Sequence, residues 1–381
     1  MYKLSTHAAI DEVPAPAWNA LAGDDLPFMR HEFLAAMEHH GCVGERFGWI
    51  PHHLVLTDNR DRIVAVTPCY LKYNSYGEFV FDWAWADAYQ RAGRRYYPKL
   101  VIASPYTPAT GQRILTGDAS CRAELTAAMA QGAVRVAQQL GVSGLHWLFT
   151  AEDETTALQS AGLMRRLGCQ FHWRNNGYGS FDDLLATFSA EKRKKVKRER
   201  RRIAEADVSI RRVRGDQATE AEWALFHRLY EDTFDKRGGI PTLTLPFFRD
   251  IAQTMGEQLL LVLAEHEQAI IAAAFCLTGA HSLYGRHWGC SKEFHSLHFE
   301  TCYYQGLDHC IEQGLTRFEP GAQGEHKVAR GFLPTRTWSA HWISDDGFRR
   351  PIGNFLNHEI DGMEDYITEM QQHSPYKAEP V

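Results

Sequence analysis

The densest set of groups able to move protons and hold charge lies in the run EPGAQGEHKVARGF, residues 319–332. It places Glu319, Gln323, Glu325, His326, Lys327 and Arg330 among three glycines, and glycine lets a backbone approach a ligand closely. Acyl transfer to an amine needs a base for the ammonium proton and a cation or donor for the oxyanion of the tetrahedral intermediate. Glu319 or Glu325 would be that base, and Lys327 or Arg330 the electrostatic partner. Gln323 and His326 would contact substrate. The competing reading is a structural turn whose charges pair with one another.

Other groups are spread along the chain. In LYGRHWGC, Arg286 and His287 are neighbours on an expected strand, so one faces each side of the sheet. In FDKRGGIPTL, Arg237 follows Lys236 at an expected helix end, where the helix dipole favours cations with or without a ligand. In FDWAWADAY, Asp82, Ala84 and Ala86 alternate with Trp83, Trp85 and Asp87. An aromatic wall carrying Asp82, Trp85 and Asp87 could hold a sugar or peptide, although tryptophans commonly fill cores. From Lys192 to Arg202 the chain reads KRKKVKRERRR, nine cations and one acid; that local +8 leaves −14 on the rest of a chain whose total is −6. Separation of sign on this scale points to a localised anion site, with Arg193 and Lys197, four apart on one helical face, as its centre. A merely solvated face is the alternative.

These groups need elements to hold them. Helical spacing marks 28–40; HHLVLTD and RIVAVTPCYLKY read as a hairpin; 121–140 reads as a helix, GLHWLFT as a strand and 154–167 as another helix. The basic run lies in a helix with Ser189 as expected N-cap. A strand VSIRRV, helices 220–236 and 246–255, a hairpin from Leu259 to Thr278, a strand SLYGRHWGC, a helix FETCYYQGLDHCIEQG and a short strand TRFEP follow. The chain from Pro351 reads as helix and then polar tail.

At 381 residues the chain exceeds a single core of roughly 250–300 residues, so two domains are expected. Hydrophobic residues at 44% and charged residues at 23% fit ordinary globular protein and argue against long disorder. No apolar run is long enough for a membrane span, because the stretch 259–278 is broken by Glu265, His266, Glu267 and Gln268. The eight cysteines form no C-x-x-C pair, which suits reduced thiols and a cytoplasmic location. The spacing of His281, His287, His295, His298 and Cys302 matches no zinc pattern, so no metal is expected. Walker, Rossmann and G-x-S-x-G sequences are missing, which removes the common NTPase, dehydrogenase and hydrolase readings.

Several long runs resemble the FemAB-like group of bacterial proteins linked to peptidoglycan, within the GNAT superfamily: HEFLAAMEHHGCVG, YLKYNSYGEFVFDWAWADAY, YYPKLVIASPYTPATG, LYGRHWGC, HFETCYYQGLDHCIEQG and EPGAQGEHKVARGF. SAEKRKKVKRERR is similar to the Ser-led basic helix of the Fem transferases, and HKVARGF to their Lys-containing loop. The resemblance implies an α/β (α+β) fold of tandem GNAT-like acyltransferase domains, with mixed sheets flanked by helices. Residues 1–178 would form an acceptor-side domain, 179–350 the acyltransferase domain, and 351–381 a helix and tail, with substrate between the two domains. It implies transfer of an acyl or aminoacyl group to an amine, with a small-molecule or muropeptide substrate. The co-substrate would be acyl-CoA or aminoacyl-tRNA, with no tightly bound cofactor. The superfamily's acyl-CoA signature is not intact in SKEFHSLHFE. The alternatives are a non-catalytic GNAT-shaped protein that recognises a cell-wall precursor or a nucleotide-linked ligand, and an RNA-binding module.

Overall fold

A computed structural model describes residues 2–117, 120–322 and 324–377. The chain forms two compact units, 1–169 with 336–366, and 170–335 with 367–381.

In the first unit, β1 (Lys3–His7), β3 (His53–Thr57) and β4 (Ile63–Thr67) make a small antiparallel sheet. The expected hairpin is β3–β4. Its turn is closed by Asp58, whose side chain accepts from the backbone N–H groups of Arg60 and Arg62 at 2.8 and 3.0 Å. A larger sheet follows the order β2 (Trp49–Pro51), β5 (Cys69–Lys72), β6 (Lys99–Ile102), β7 (Gly144–Thr150). Helices α1 (Ala15–Ala22), α2 (His31–His39), α3 (Trp83–Arg91), α4 (Arg122–Leu140) and α5 (Glu152–Ser160) surround it. Strands β6 and β7 are parallel, with α4 as the crossover, and α4 packs Met129 and Ala133 over Leu100, Ile102, Leu145 and Trp147.

Two expectations change here. Residues 154–167 were expected to be one helix, but α5 ends at Ser160, Gly162 turns the chain at φ 95°, and Met164–Arg174 is the strand β8. Residues 81–89, read as alternating, are helical from Trp83. At 100° per residue Trp85 and Tyr89 therefore share the buried face, while Trp83 and Asp87 face out.

The second unit begins with α6 (Phe181–Thr187), α7 (Ala190–Glu205), β9 (Ser209–Arg214), α8 (Glu220–Lys236) and α9 (Leu245–Met255). An antiparallel meander follows: β10 (Leu259–His266), β11 (Ala269–Thr278) and β12 (Ser282–Cys290). Leu297–Phe299 (α10), a π-helical turn Glu300–Tyr304 and α11 (Gln305–Glu312) lead to β13 (Arg317–Glu319), which is parallel to β12. A 3₁₀ helix Glu325–Arg330 leads to β14 (Leu333–Ile343), and α12 (Asp346–Gln372) ends the fold.

Each unit thus contains strand, helix and parallel strand, and in each the second parallel strand takes an antiparallel neighbour that is distant in sequence. Trp338–Ile343 of β14 pairs with β7, and Trp173–Arg174 of β8 pairs with β13. The architecture is mixed α/β, with mixed sheets flanked by helices.

The first unit buries charge. Lys72 and Lys99 are directly opposed across β5 and β6, and both side chains are fully buried. Lys99 Nζ donates to Glu78 Oε2 at 2.7 Å, to Ser75 Oγ at 2.9 Å, and to Asp82. Lys72 Nζ donates to the Tyr76 carbonyl at 3.1 Å and sits 3.9 Å above the Trp49 ring. Burial pushes Glu78 up to about 7; burial would raise Asp82 too, but Lys99 holds it down at about 2. Breaking a buried pair is far more damaging than never having built one. Lys99→Met should therefore destabilise the protein by about 3–5 kcal/mol in denaturant unfolding. A Lys99→Met/Glu78→Gln/Asp82→Asn variant should recover part of that loss, and a single variant as stable as wild type would refute this account.

Candidate functional site

The site of the second unit is built where β12 and β13 part. They are in register only from Ser282 opposite Arg317 to Tyr284 opposite Glu319; β13 then ends while β12 runs on to Cys290. On its other edge β12 is bulged, since Phe275 opposes His287 and Cys276 opposes Gly285, which leaves Arg286 as the extra residue. Strict alternation of Arg286 and His287 is lost at this point. Burial brings Arg286 down to about 10 and keeps His287 neutral, with its ring against Tyr230 at 4.8 Å. The Nε2 of His287 has no hydrogen-bond partner among the described residues. A side chain at Gly289 would put its Cβ 2.0 Å from the Leu229 carbonyl oxygen, so close packing of β12 on α8 requires glycine there.

Beyond β13, Gly324 at φ 114° and Gly331 at φ 96° bracket the 3₁₀ helix, backbone conformations that side chains rarely adopt. This tight turn buries Lys327 to 2% exposure, and its Nζ donates one hydrogen bond, to the Gly321 carbonyl at 2.7 Å. Burial pushes Lys327 down to about 7. Glu319, equally buried, meets Arg317 Nε at 3.2 Å and lies 3.8 Å from His172 Nε2. Burial holds His172 at about 4, against the opposing pull of Glu319. His326 Nε2 bonds the Tyr303 hydroxyl at 2.9 Å. His298 is brought down to about 4 by burial, and then by the positive field of His326, Lys327 and Arg237. Glu325 is exposed on the outer side of the turn. Gln323 lies outside the described residues.

Arg330 is fully engaged. Its Nε and Nη2 donate to the two oxygens of Glu199 at 3.2 and 2.7 Å, its Nη1 donates to the His326 carbonyl at 2.6 Å, and the guanidinium lies 3.3 Å over the Phe299 ring. The Tyr304 hydroxyl donates to the same Glu199. Glu199 is the one acid of the basic run. It lies on the stripe Val196, Glu199, Ile203 that α7 turns inward. The next residue, Arg200, pairs with Asp308 at 2.7 Å and Glu300 at 3.1 Å. Lys197 pairs with Asp182 at 3.0 Å at the surface, and Arg193 is half-buried with no ion pair among the described residues. Ser189 stands at the N-cap of α7 without accepting a side-chain bond, whereas Ser180 caps α6 by accepting from Asp183 N at 3.1 Å.

The fold therefore gathers Glu319, His326, Lys327 and Arg330 in one turn, with Arg286 and His287 on the parting strand. Arg237 ends α8 at an exposed position. Asp82, Trp85 and Asp87 belong to the first unit and do not converge on one another. Asp82 is tied to Lys99, Trp85 packs on His341 at 5.1 Å, and Asp87 is exposed and paired with Arg91 at 3.1 Å. Sequence reasoning passed over Glu199, Tyr303, Tyr304 and Glu300, the last buried with one carboxylate oxygen lacking a partner among the described residues. Only Glu199 carried a signal, its spacing of three from Val196 and four from Ile203.

The model of the family described as peptidoglycan biosynthesis/recognition matches residues 9–378, nearly the whole chain. The chain belongs to the FemAB-like family. A search of curated proteins gives no match. Among solved structures, a crystal structure of FemX aligns over 92% of this chain and all of its own, with a TM-score of 0.54 at 12% identity. The C-terminal domain of a protein assigned as a lysylphosphatidylglycerol synthetase, from Agrobacterium fabrum, aligns over 91% and 96% with the same TM-score at 10% identity. A tandem GNAT protein from the clavulanic acid pathway covers 91% of this chain and all of its own at a TM-score of 0.46 and 10% identity. At such identities the likeness to the first two is one of fold.

In this FemAB-like chain the Glu199–Arg330 pair ties the basic helix to the catalytic candidates. A double-mutant cycle of Glu199→Gln and Arg330→Met should give a coupling energy above about 1 kcal/mol, each single change costing about 3–5 kcal/mol because it strands a buried charge. Additive losses in urea unfolding would mean that the two side chains act independently.

Proposed function

We propose that the protein transfers an acyl or aminoacyl group to an amine of a peptidoglycan precursor, with Lys327 as the residue that handles the proton. The observation that carries this reading is a buried lysine whose Nζ donates to the Gly321 carbonyl, with no carboxylate partner among the described residues, and whose pKa burial pushes down to about 7. Membership of the FemAB-like family and the FemX-like fold support the reaction class.

In this scheme neutral Lys327 takes a proton from the acceptor amine as its nitrogen attacks the carbonyl carbon of an ester or thioester. A C–N bond forms and the carbonyl electron pair moves to oxygen. Lys327, now cationic, lies where it steadies that oxyanion. Collapse then breaks the C–O or C–S bond, and the proton on Lys327 passes to the leaving group. Glu319, engaged by Arg317, orients the end of β13, and Arg330 positions the turn through Glu199. Glu325, on the outer side, takes no part in the chemistry.

The donor is proposed to be carried on a phosphate-rich molecule such as aminoacyl-tRNA. Lys194 and Arg198 lie on the outer face of α7, exposed and without an ion pair among the described residues, and backbone phosphates bind such cations.

Lys327→Met should lower kcat on a muropeptide acceptor by about 10²–10⁴-fold with an unchanged melting temperature. In wild type kcat/KM should rise with pH through about 7, because the neutral amine is the active form. A flat profile, or full turnover by the variant, would remove Lys327 from the mechanism. Lys194→Glu/Arg198→Glu should weaken donor binding and reduce the slope of log affinity against log salt by about 2, roughly one per phosphate contact; an unchanged slope would place the donor elsewhere.

A further inference from the structure

Residues 72–83 are built inside out. Lys72, Ser75, Glu78 and Asp82 are buried, while Tyr73, Tyr76, Phe79, Phe81 and Trp83 are exposed. Tyr76 is 69% exposed, Phe81 55% and Tyr73 52%. Among the described residues the exposed large hydrophobic side chains are these five, Phe355, and the aliphatic Leu140 and Ile240. Tyr76 and Trp83 stand edge to face at 5.2 Å. Arg166, which donates to the Phe81 carbonyl at 2.7 Å, pairs with Glu359, one helical turn from Phe355. The five exposed large side chains of the segment are thus all aromatic, and two of them, Tyr76 and Trp83, touch.

Exposing these rings forgoes the stabilisation that their burial would give. The backbone is held to it as well. Phe79 adopts φ 59°, rare for a bulky side chain, and Gly77 turns at φ 78° where a Cβ would strike the Tyr106 ring.

The chemistry of the outer face selects the occupant. A saccharide needs several polar partners beside the rings, yet apart from the Tyr73 and Tyr76 hydroxyls the segment's polar side chains are turned inward: Ser75, Glu78 and Asp82 to Lys99, and Asn74 to Lys72 and to the Phe47 carbonyl. Arg46 lies over the ring of Phe47, whose carbonyl accepts from Asn74 of the segment, and the adjacent Glu45 is exposed as well. Arg46, next to Phe47, and Arg95, next to the Tyr96 that bonds Asp82, are exposed and have no carboxylate partner among the described residues. Aromatic rings with amphipathic tips, flanked by arginines, match the headgroup region of an anionic bilayer. No helix among the described residues is long and apolar enough to cross a membrane, so such attachment would be peripheral.

We infer that the aromatic segment from Tyr73 to Trp83, with Phe355, seats the first unit on the surface of an anionic lipid bilayer. The test is co-sedimentation of the full chain with vesicles of phosphatidylcholine alone or mixed with phosphatidylglycerol. Wild type should bind both, and the mixed vesicles more tightly. Tyr76→Ser/Phe81→Ser/Trp83→Ser should lose on the order of 100-fold in partitioning, as three partly inserted aromatic side chains would give, at an unchanged melting temperature. Arg46→Glu/Arg95→Glu should abolish only the preference for the anionic vesicles. Failure of wild type to bind either vesicle, or equal binding by the aromatic variant, overturns the proposal. So does a wild-type self-association or soluble muropeptide binding that the aromatic variant loses in the absence of vesicle binding.

Discussion

A single carboxylate organises the second unit. Glu199 lies in a run of cations, and α7 turns it into the protein rather than toward water. There it receives both arms of the Arg330 fork and the Tyr304 hydroxyl, so that α7, the π-helical turn and the 3₁₀ helix converge on one group. A bidentate guanidinium–carboxylate contact fixes angle as well as distance. Arg330 in turn bonds the His326 carbonyl, the residue before Lys327, and the position of the lysine follows from the pair.

The buried lysines show how surroundings decide between structure and chemistry. Lys99 has two carboxylates and a hydroxyl at its ammonium; burial alone would lower its pKa, but these partners raise it, so it stays charged. Lys327 is as deeply placed and has no carboxylate partner among the described residues, so desolvation wins and brings it down to about 7. Lys72 is shifted as far as Lys327. Burial brings it to about 7 despite Glu78, and Lys99 opposite adds repulsion. Its nitrogen nevertheless has a carbonyl, an amide oxygen and the face of Trp49, whereas Lys327 has one carbonyl and is the better placed to exchange a proton.

Local signals in the chain were legible, and distant ones were not. The β3–β4 and β10–β11 hairpins, α4, α8 and the basic helix announce themselves through turn residues, periodicity and charge, which are properties of a few neighbours. Period two in FDWAWADAY misled, because a helix of alternating large and small residues shows the same pattern; what settles the matter is that Trp85 and Tyr89 reach one core. The strand Met164–Arg174 was hidden by a continuation of helical spacing past Ser160, and its partner at β13 is over 140 residues away. Within the site, the loop Glu319–Arg330 was visible as a concentration of charge on glycines. Which of its members are spent and which are free depends on Glu199, Arg317 and Tyr303, and those arrive from three other elements.

The same logic of compensation governs the first unit in reverse. In the segment 72–83 the polar side chains satisfy two buried lysines, and the rings that would ordinarily have filled that space are displaced outward. Lys99 holds Ser75, Glu78 and Asp82 facing inward, and the side chains between them face out. The buried charge thus acts as a clamp that keeps the aromatic face outward whether or not anything is bound to it.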